Sequence, residues 1–435
     1  MIRALEYAAS LALVPVFGLS AVVAIDETMA FEPGLLAAAG CAILAVEMTF
    51  LSLMKIAWSP LVITAPLVAI SAVSLPRLRR NRLRIGRAAG SSGLPAWSLV
   101  PGGLGVALVS MAAVTATSTS IDFVYFWGPK AQQFALHRGI DFAYLSARDN
   151  FLMHPDYPPL VPLVFAWSSL WAGFSWWAPI LSAPFFVALS AWSFWRLGRR
   201  SLEGSILAGL SGLFAITLGY CLVVTNSLGN AEVFLVCWES QALALLTFQP
   251  QSKRRDLLAS VMLCAVVLTK VEGAAFAMLT AAAFSVERRP AIRWGRFFRL
   301  AGIPLALLVG WIAIGHFEGI REAYSRSSPY GPFTLVHLPL VVSRVLAAGN
   351  YEAGFLPWFA LLGVIALSPR PAASFRYLAL SFLYFLFVVF CYVHGAGNPR
   401  DWILVSAPRL LLAPVAFLAF GAAAAWNPVE SDRSS

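Results

Sequence analysis

The sequence predicts an all-α, polytopic membrane protein of about 13 transmembrane helices, with 12 as the alternative count, and with interfacial helices in its first large loop. Three observations predict it. The 435-residue chain is 59% hydrophobic and 12% charged, where a soluble domain carries about 25% charged residues; its mean hydropathy is +0.76. Apolar runs of ~20 residues recur from end to end, each long enough to cross about 30 Å of hydrocarbon. The basic residues gather in short clusters between those runs, as they do in cytoplasmic loops. The net charge of +10 therefore reads as membrane topology, and no nucleic-acid surface is expected.

The first run, 4–25, resembles a signal peptide ending near Ala24, but Arg3 is offset by Glu6 and further spans follow directly, so it reads as a retained helix. Spans follow at 33–54 and 57–75, and Glu47 inside the second has no reading beyond helix packing. The basic loop RLRRNRLRIGR (77–87) is cytoplasmic by the same charge rule, which requires an external start for the chain. A span at 98–119 then delivers the polar-aromatic segment 120–157 to the outside. From there to the basic RLGRRS (196–201) only one crossing is allowed, namely 177–196. The surplus apolar stretch 159–174 should lie on the external surface as an interfacial helix, with Trp167, Trp171, Trp176 and Trp177 at that level and Pro158–Pro159 opening it.

Spans at 204–223 and 231–248 lead to the basic KRRD (253–256). Both flanks of 257–286 are basic, so the chain must enter and return; two short helices, 257–269 and 272–286, should meet at LTKVEG (268–273), with Gly273 permitting the bend. Spans at 299–316, 354–368, 377–394 and 403–424 complete the chain, with loops 316–352 and 394–402 outside. Cys41, Cys221, Cys237, Cys264 and Cys391 are scattered singly, so neither a disulfide framework nor a zinc site is expected. No internal repeat of the inverted-repeat transporter kind is visible.

Several polar residues stand where chemistry is plausible. Asp122 follows a span at the membrane surface, positioned to accept a proton from a hydroxyl, with Lys130 as a candidate partner; a helix-end acid marking the water line is the competing reading. Pro129 opens an amphipathic segment expected to turn Ala131, Phe134 and Ala135 to lipid and Lys130, Gln133 and His137 to water. His154, Asp156 and Tyr157 precede Pro158; Asp156 either caps the next helix or joins a site, and a divalent cation is a further option without a spacing motif to support it. Lys270 and Glu272 lie within an apolar run, and as i and i+2 they can pair only if the helix breaks. Glu232 opens a span from the external side, where an acid suits the helix dipole. Arg409 lies too deep in the last span for a simple anchor, and a lipid phosphate would satisfy it. Arg400 and Asp401 at the mouth of that span can pair with each other and mean nothing more.

These features occur in a telling order: an Asp after a span, W-x-x-K-A at 127–131, H-P-D-Y-P-P-L at 154–160, an acid at a later external helix start, T-K-x-E-G at 269–273, and an arginine in the terminal span. From about residue 98 to 424 the chain resembles the C-type membrane glycosyltransferases, specifically the bacterial relatives of protein O-mannosyltransferases and lipid A aminoarabinose transferases. The resemblance implies a polyprenyl-phosphate sugar donor, an acceptor hydroxyl on an unknown glycan, lipid or protein, and inverting transfer on the periplasmic side of a bacterial inner membrane. By matching position, Asp122 would be the general base and Lys270 and Arg409 would bind the departing phosphate. Glu232 would stand as the second acid, and Lys130, His154, Asp156, Tyr157 and Glu272 would line the cavity. Relatives often carry an acidic pair where this chain has Asp122 alone, which argues against a metal-bound site and leaves no cofactor expected. Residues 1–97 would form N-terminal spans and a cytoplasmic loop, 98–426 the catalytic domain with periplasmic loops 120–176 and 316–352, and 427–435 a cytoplasmic tail. With no large soluble C-terminal domain, acceptor recognition would fall to the external loops. A transporter or flippase for a lipid-linked glycan is the alternative; an O-antigen-ligase-like enzyme ranks third because it needs more external arginines.

Overall fold

The computed structural model describes residues 2–74, 76, 96–116, 120, 122–176, 178–199, 201–225, 227–286, 293–320, 337–352, 355–394 and 399–427. The basic loop 77–87, residues 321–336 of the 316–352 loop, most of the 394–402 loop's first half and the tail from 428 lie outside the described residues. Among the described residues the structure is helical throughout its regular elements, without a strand, and the chain is an all-α polytopic membrane protein. Nine described segments are long and apolar enough to cross a bilayer. The remaining predicted spans, 57–75, 257–269, 272–286 and 354–368, are helices of 14, 17, 14 and 11 residues.

Helices α1 (Ile2–Ile25) and α2 (Pro33–Leu53) form an antiparallel pair. They approach closely because each offers a glycine at the crossing. A Cβ on Gly18 would stand 2.1 Å from the Leu36 carbonyl oxygen, and one on Gly40 would stand 1.9 Å from that of Val14. Helix α3 (Pro60–Val73) follows, capped by Ser59, whose hydroxyl accepts from the Val62 amide at 3.2 Å.

Helix α4 (Val100–Ala116) leads to the first large loop, which contains a π-helical turn (Phe123–Trp127), α5 (Gly128–His137), α6 (Phe142–Ser146) and α7 (Leu160–Ala172). Helix α7 has 13 residues, too few to cross a bilayer, which agrees with the topology argument. It does not lie open on a surface, however. It is apolar on all sides and α1, α2 and α5 enclose it. The Trp167 indole donates to the Ser10 carbonyl at 3.0 Å, whereas Trp171 and Trp176 stay partly exposed.

The rest of the bundle comprises α8 (Ala178–Gly198), α9 (Gly204–Val224), α10 (Ala231–Phe248), α11 (Lys253–Thr269), α12 (Glu272–Ser285), α13 (Trp294–Phe317), α14 (Leu338–Glu352), α15 (Leu356–Ala366), α16 (Phe375–His394), α17 (Pro399–Leu410) and α18 (Leu412–Ala425). Helix α10 is the axis. Every residue in it except Thr247 is buried, and α8, α11 and α18 pack around it. The break between α11 and α12 falls where expected but at Lys270, whose backbone is extended (φ −160°, ψ 153°), rather than at Gly273. Gly273 serves close approach instead: a Cβ there would sit 2.3 Å from the Val266 carbonyl oxygen. The predicted last span is likewise two helices that part at Leu411, between Pro408 and Pro414.

Hydrogen bonds and ion pairs tie helix ends and turns together at two poles. At one pole the Trp58 amide donates to the Arg138 carbonyl at 2.7 Å, the Ile140 amide to the Ser52 hydroxyl at 2.9 Å and the Trp311 indole to the Asp156 carbonyl at 2.9 Å. At the other, Arg196 pairs with Glu32 at 3.3 Å, and the starts of α11, α13 and α16 converge. The described parts of the basic clusters from 196, 253, 293 and 368 onward fall at that second pole together with the α1–α2 turn, while the turn after α2 lies at the first.

Candidate functional site

At the first pole, the chain brings together charged side chains that are far apart in sequence. Asp122 precedes the π-helical turn, a distortion frequent at functional sites. Its position is fixed two residues earlier and two helices away: the Ser120 hydroxyl donates to Asn230 Oδ1 at 2.5 Å, and Asn230 is the N-cap of α10. Glu232, in the first turn of α10, is thereby set beside Asp122. Lys270 enters from the break between α11 and α12, and Arg409 from the last turn of α17.

The contacts form a continuous chain. The Arg409 guanidinium is in direct, short contact with the Asp122 carboxylate and lies 4.0 Å from Glu232 Oε1. Lys270 Nζ donates to the same Glu232 oxygen at 3.1 Å and pairs with Glu272 Oε1 at 3.2 Å. Two cations and three carboxylates thus interleave, and all five side chains are at most about one-sixth exposed. Glu232 Oε2, Glu272 Oε2 and Arg409 Nε find no hydrogen-bond partner among the described residues, so part of the cluster's bonding capacity remains unspent. Burial raises the Asp122 carboxyl above the usual carboxylate range, and the Arg409 guanidinium opposes that shift.

Aromatic and basic residues of the first large loop border this cluster. The Tyr157 ring lies 5.7 Å from Lys270 Nζ and stacks on His154 at 4.8 Å between centroids. Lys130 Nζ donates to the His154 carbonyl at 3.0 Å and stands 4.4 Å over the Trp127 ring. Burial pushes the Lys130 ammonium down to about 7, against the pull of Asp156 and Asp122. Burial likewise pushes the His154 imidazole down to about 3, reinforced by the positive charges of Lys130, Lys270 and Arg409.

All nine residues singled out from the sequence fall in this region, but three local readings change. The direct partner of Asp122 is Arg409, not Lys130. Helix α5 packs Ala131 and Phe134 against protein and buries Lys130 with them, while His137 is exposed as expected and Leu136 is exposed too; cation–π contact and the His154 carbonyl compensate the ammonium. Asp156 does not cap α7, whose N-cap is Pro159 without a side-chain bond. The proposed pairing of Lys270 with Glu272 does occur, through the helix break that it required. Among the described residues, no set of three or more His, Cys, Asp or Glu side chains is arranged to hold a metal ion.

The sequence reading passed over Glu239. It lies two turns below Glu232 in α10, 1% exposed, and neither carboxyl oxygen finds a hydrogen-bond partner among the described residues. An acid inside VFLVCWESQALALL was the available signal, the same one that drew attention to Glu47 and Lys270. Tyr392 was also missed; its hydroxyl shares a hydrogen bond with Ser406 at 2.6 Å, one turn before Arg409. No family model, curated protein or solved structure matches this chain.

Proposed function

We propose that this membrane protein is a glycosyltransferase that moves a sugar from a polyprenyl-phosphate donor to an acceptor hydroxyl, with inversion, at the periplasmic face of a bacterial inner membrane. The observation that carries the reading is the direct contact of Asp122 with Arg409, 287 residues apart, beside Lys270 in one buried cluster. In the proposed step the acceptor oxygen attacks the anomeric carbon and its proton passes to Asp122. The bond from that carbon to the phosphate oxygen breaks, and the phosphate leaves with the electron pair. Lys270 and Arg409 stabilise the negative charge growing on it. The unspent Nε of Arg409 and the free oxygens of Glu232 and Glu272 offer bonds to phosphate and sugar hydroxyls respectively.

One observation favours a second reading, transport of a lipid-linked glycan: Glu239 is a carboxyl buried in mid-span, as in proton-coupled carriers. The two readings separate in one assay. Membranes containing the protein are incubated with a panel of radiolabelled polyprenyl-phosphate sugars, and the label is followed. Transfer to a new molecule is expected, and Asp122→Asn should lower it by about 10²–10⁴ with the protein still folded. Lys270→Ala and Arg409→Ala should each weaken donor binding by about tenfold or more. Near-normal turnover in the Asp122 variant would remove the base; label that crosses the membrane without changing molecules would favour transport.

A further inference from the structure

A second buried charge cluster occupies the opposite pole and is independent of the proposed reaction. The carboxylate of Asp256, at the start of α11, is shared by three arginines. Arg255 Nη2 reaches Oδ1 at 3.3 Å, Arg296 Nε reaches Oδ2 at 3.2 Å and Oδ1 at 3.3 Å, and Arg299 Nη2 reaches Oδ2 at 3.5 Å. A fourth, Arg376, lies with its guanidinium 4.8 Å over the Phe284 ring and close enough to Arg296 to be felt electrostatically.

This arrangement is over-supplied with positive charge. Three guanidinium groups share one carboxylate, so two positive charges have no counter-charge at the cluster among the described residues. Arg255 and Arg296 are 8% and 5% exposed, which makes the imbalance costly in a low-dielectric surround. Hydrogen bonding is over-supplied too. Arg255 Nη1 donates to the Gln249 carbonyl at 2.8 Å, but the buried Nε of Arg255 and the Nε of Arg299 have no acceptor among the described residues. Arg299 is one-third exposed, so the cluster opens to its surroundings on that side. A purely structural ion pair would need one arginine and would leave no buried donor idle.

We propose that this cluster binds a phosphate-bearing anion, and that the anion is the headgroup of an anionic membrane lipid. Guanidinium groups match phosphate oxygens by paired hydrogen bonds. The lipid source follows from the surroundings: Trp294, Phe298 and Phe375, next to these arginines in sequence, are 60%, 61% and 73% exposed. Exposed aromatics at helix ends mark the level of lipid headgroups, where basic pockets between helices take up acidic lipids.

The test is retention of lipid by the purified full-length protein, read by native mass spectrometry after delipidation and return of either phosphatidylglycerol or phosphatidylcholine. Phosphatidylglycerol should be retained about tenfold over phosphatidylcholine, and Arg299→Gln should cut that preference about fivefold. Arg376→Gln should act in the same direction and covers the case in which the first variant folds poorly. Arg254→Gln, an exposed neighbour outside the cluster, should change nothing. Equal retention of the two lipids would overturn the proposal. Inorganic phosphate that displaces phosphatidylglycerol and stabilises the protein equally well without lipid would assign the site to a soluble anion and overturn the lipid source.

Discussion

His154 shows how much a single residue of the first loop is made to bear. Its backbone is left-handed (φ 50°), its ring stacks on Tyr157, and its carbonyl accepts from Lys130. Burial and three nearby cations hold the imidazole neutral down to about 3. The unfolded chain takes up that proton near the ordinary value of about 6.5. Between the two values the unfolded state binds more protons, so stability is lost as pH falls from about 6.5 toward 3. Thermal unfolding of the detergent-solubilised protein should show this limb, and His154→Phe, which keeps the stacking, should flatten it relative to the parent. An unchanged slope in the variant would mean that other groups carry the acid limb. Lys270, Glu272 and Arg409 stood out in the sequence because a charge within an apolar run is conspicuous. The pairing of Asp122 with Arg409 did not: nothing in the spacing of residues 122 and 409 says that they meet, and the helix break at Leu411, beside Arg409, was signalled only by two prolines in APRLLLAPV.

At the scale of elements, glycine-mediated approach and helix breaks shape the bundle. The α1–α2 crossing leaves no room for a side chain at Gly18 or Gly40, since a Cβ would strike backbone oxygen. Gly40→Val should therefore force the pair apart, lowering the unfolding temperature by several degrees or abolishing membrane accumulation; Gly209→Ala in α9, where a Cβ meets nothing within 4 Å, is the matched control. An effect of equal size in both would refute the close-packing account. Helix positions were readable from hydropathy almost throughout. The facing of α5 was not, because amphipathicity says which residues share a face but not which face meets protein. The same limit explains α7: a wholly apolar helix reads alike whether lipid or protein encloses it.

For the whole molecule, the two poles make a prediction about sidedness. Ser146 belongs to the first loop and Arg254 to the start of α11. In a Cys391→Ser background, the other four cysteines being buried, single cysteines at these two positions should label from opposite sides of intact membranes. Labelling of both from one side would overturn the alternation of helices. The helical membrane topology was the most readable property of the chain: the described parts of the basic clusters near 196, 253, 293 and 368 gather at one pole, and the Arg196–Glu32 pair places the α1–α2 turn with them. The arginine cluster at that pole was visible only as separate loops. Nothing in sequence spacing says that 255, 296, 299 and 376 meet.

The bond between Asp122 and Arg409 has a kinetic corollary. In the resting protein the guanidinium already engages one Asp122 oxygen. On the proposed chemistry, an incoming phosphate diester would compete for that guanidinium and release the acid as its sugar comes into reach. Such a reaction would be ordered, donor before acceptor, which kinetics with varied donor and acceptor would read.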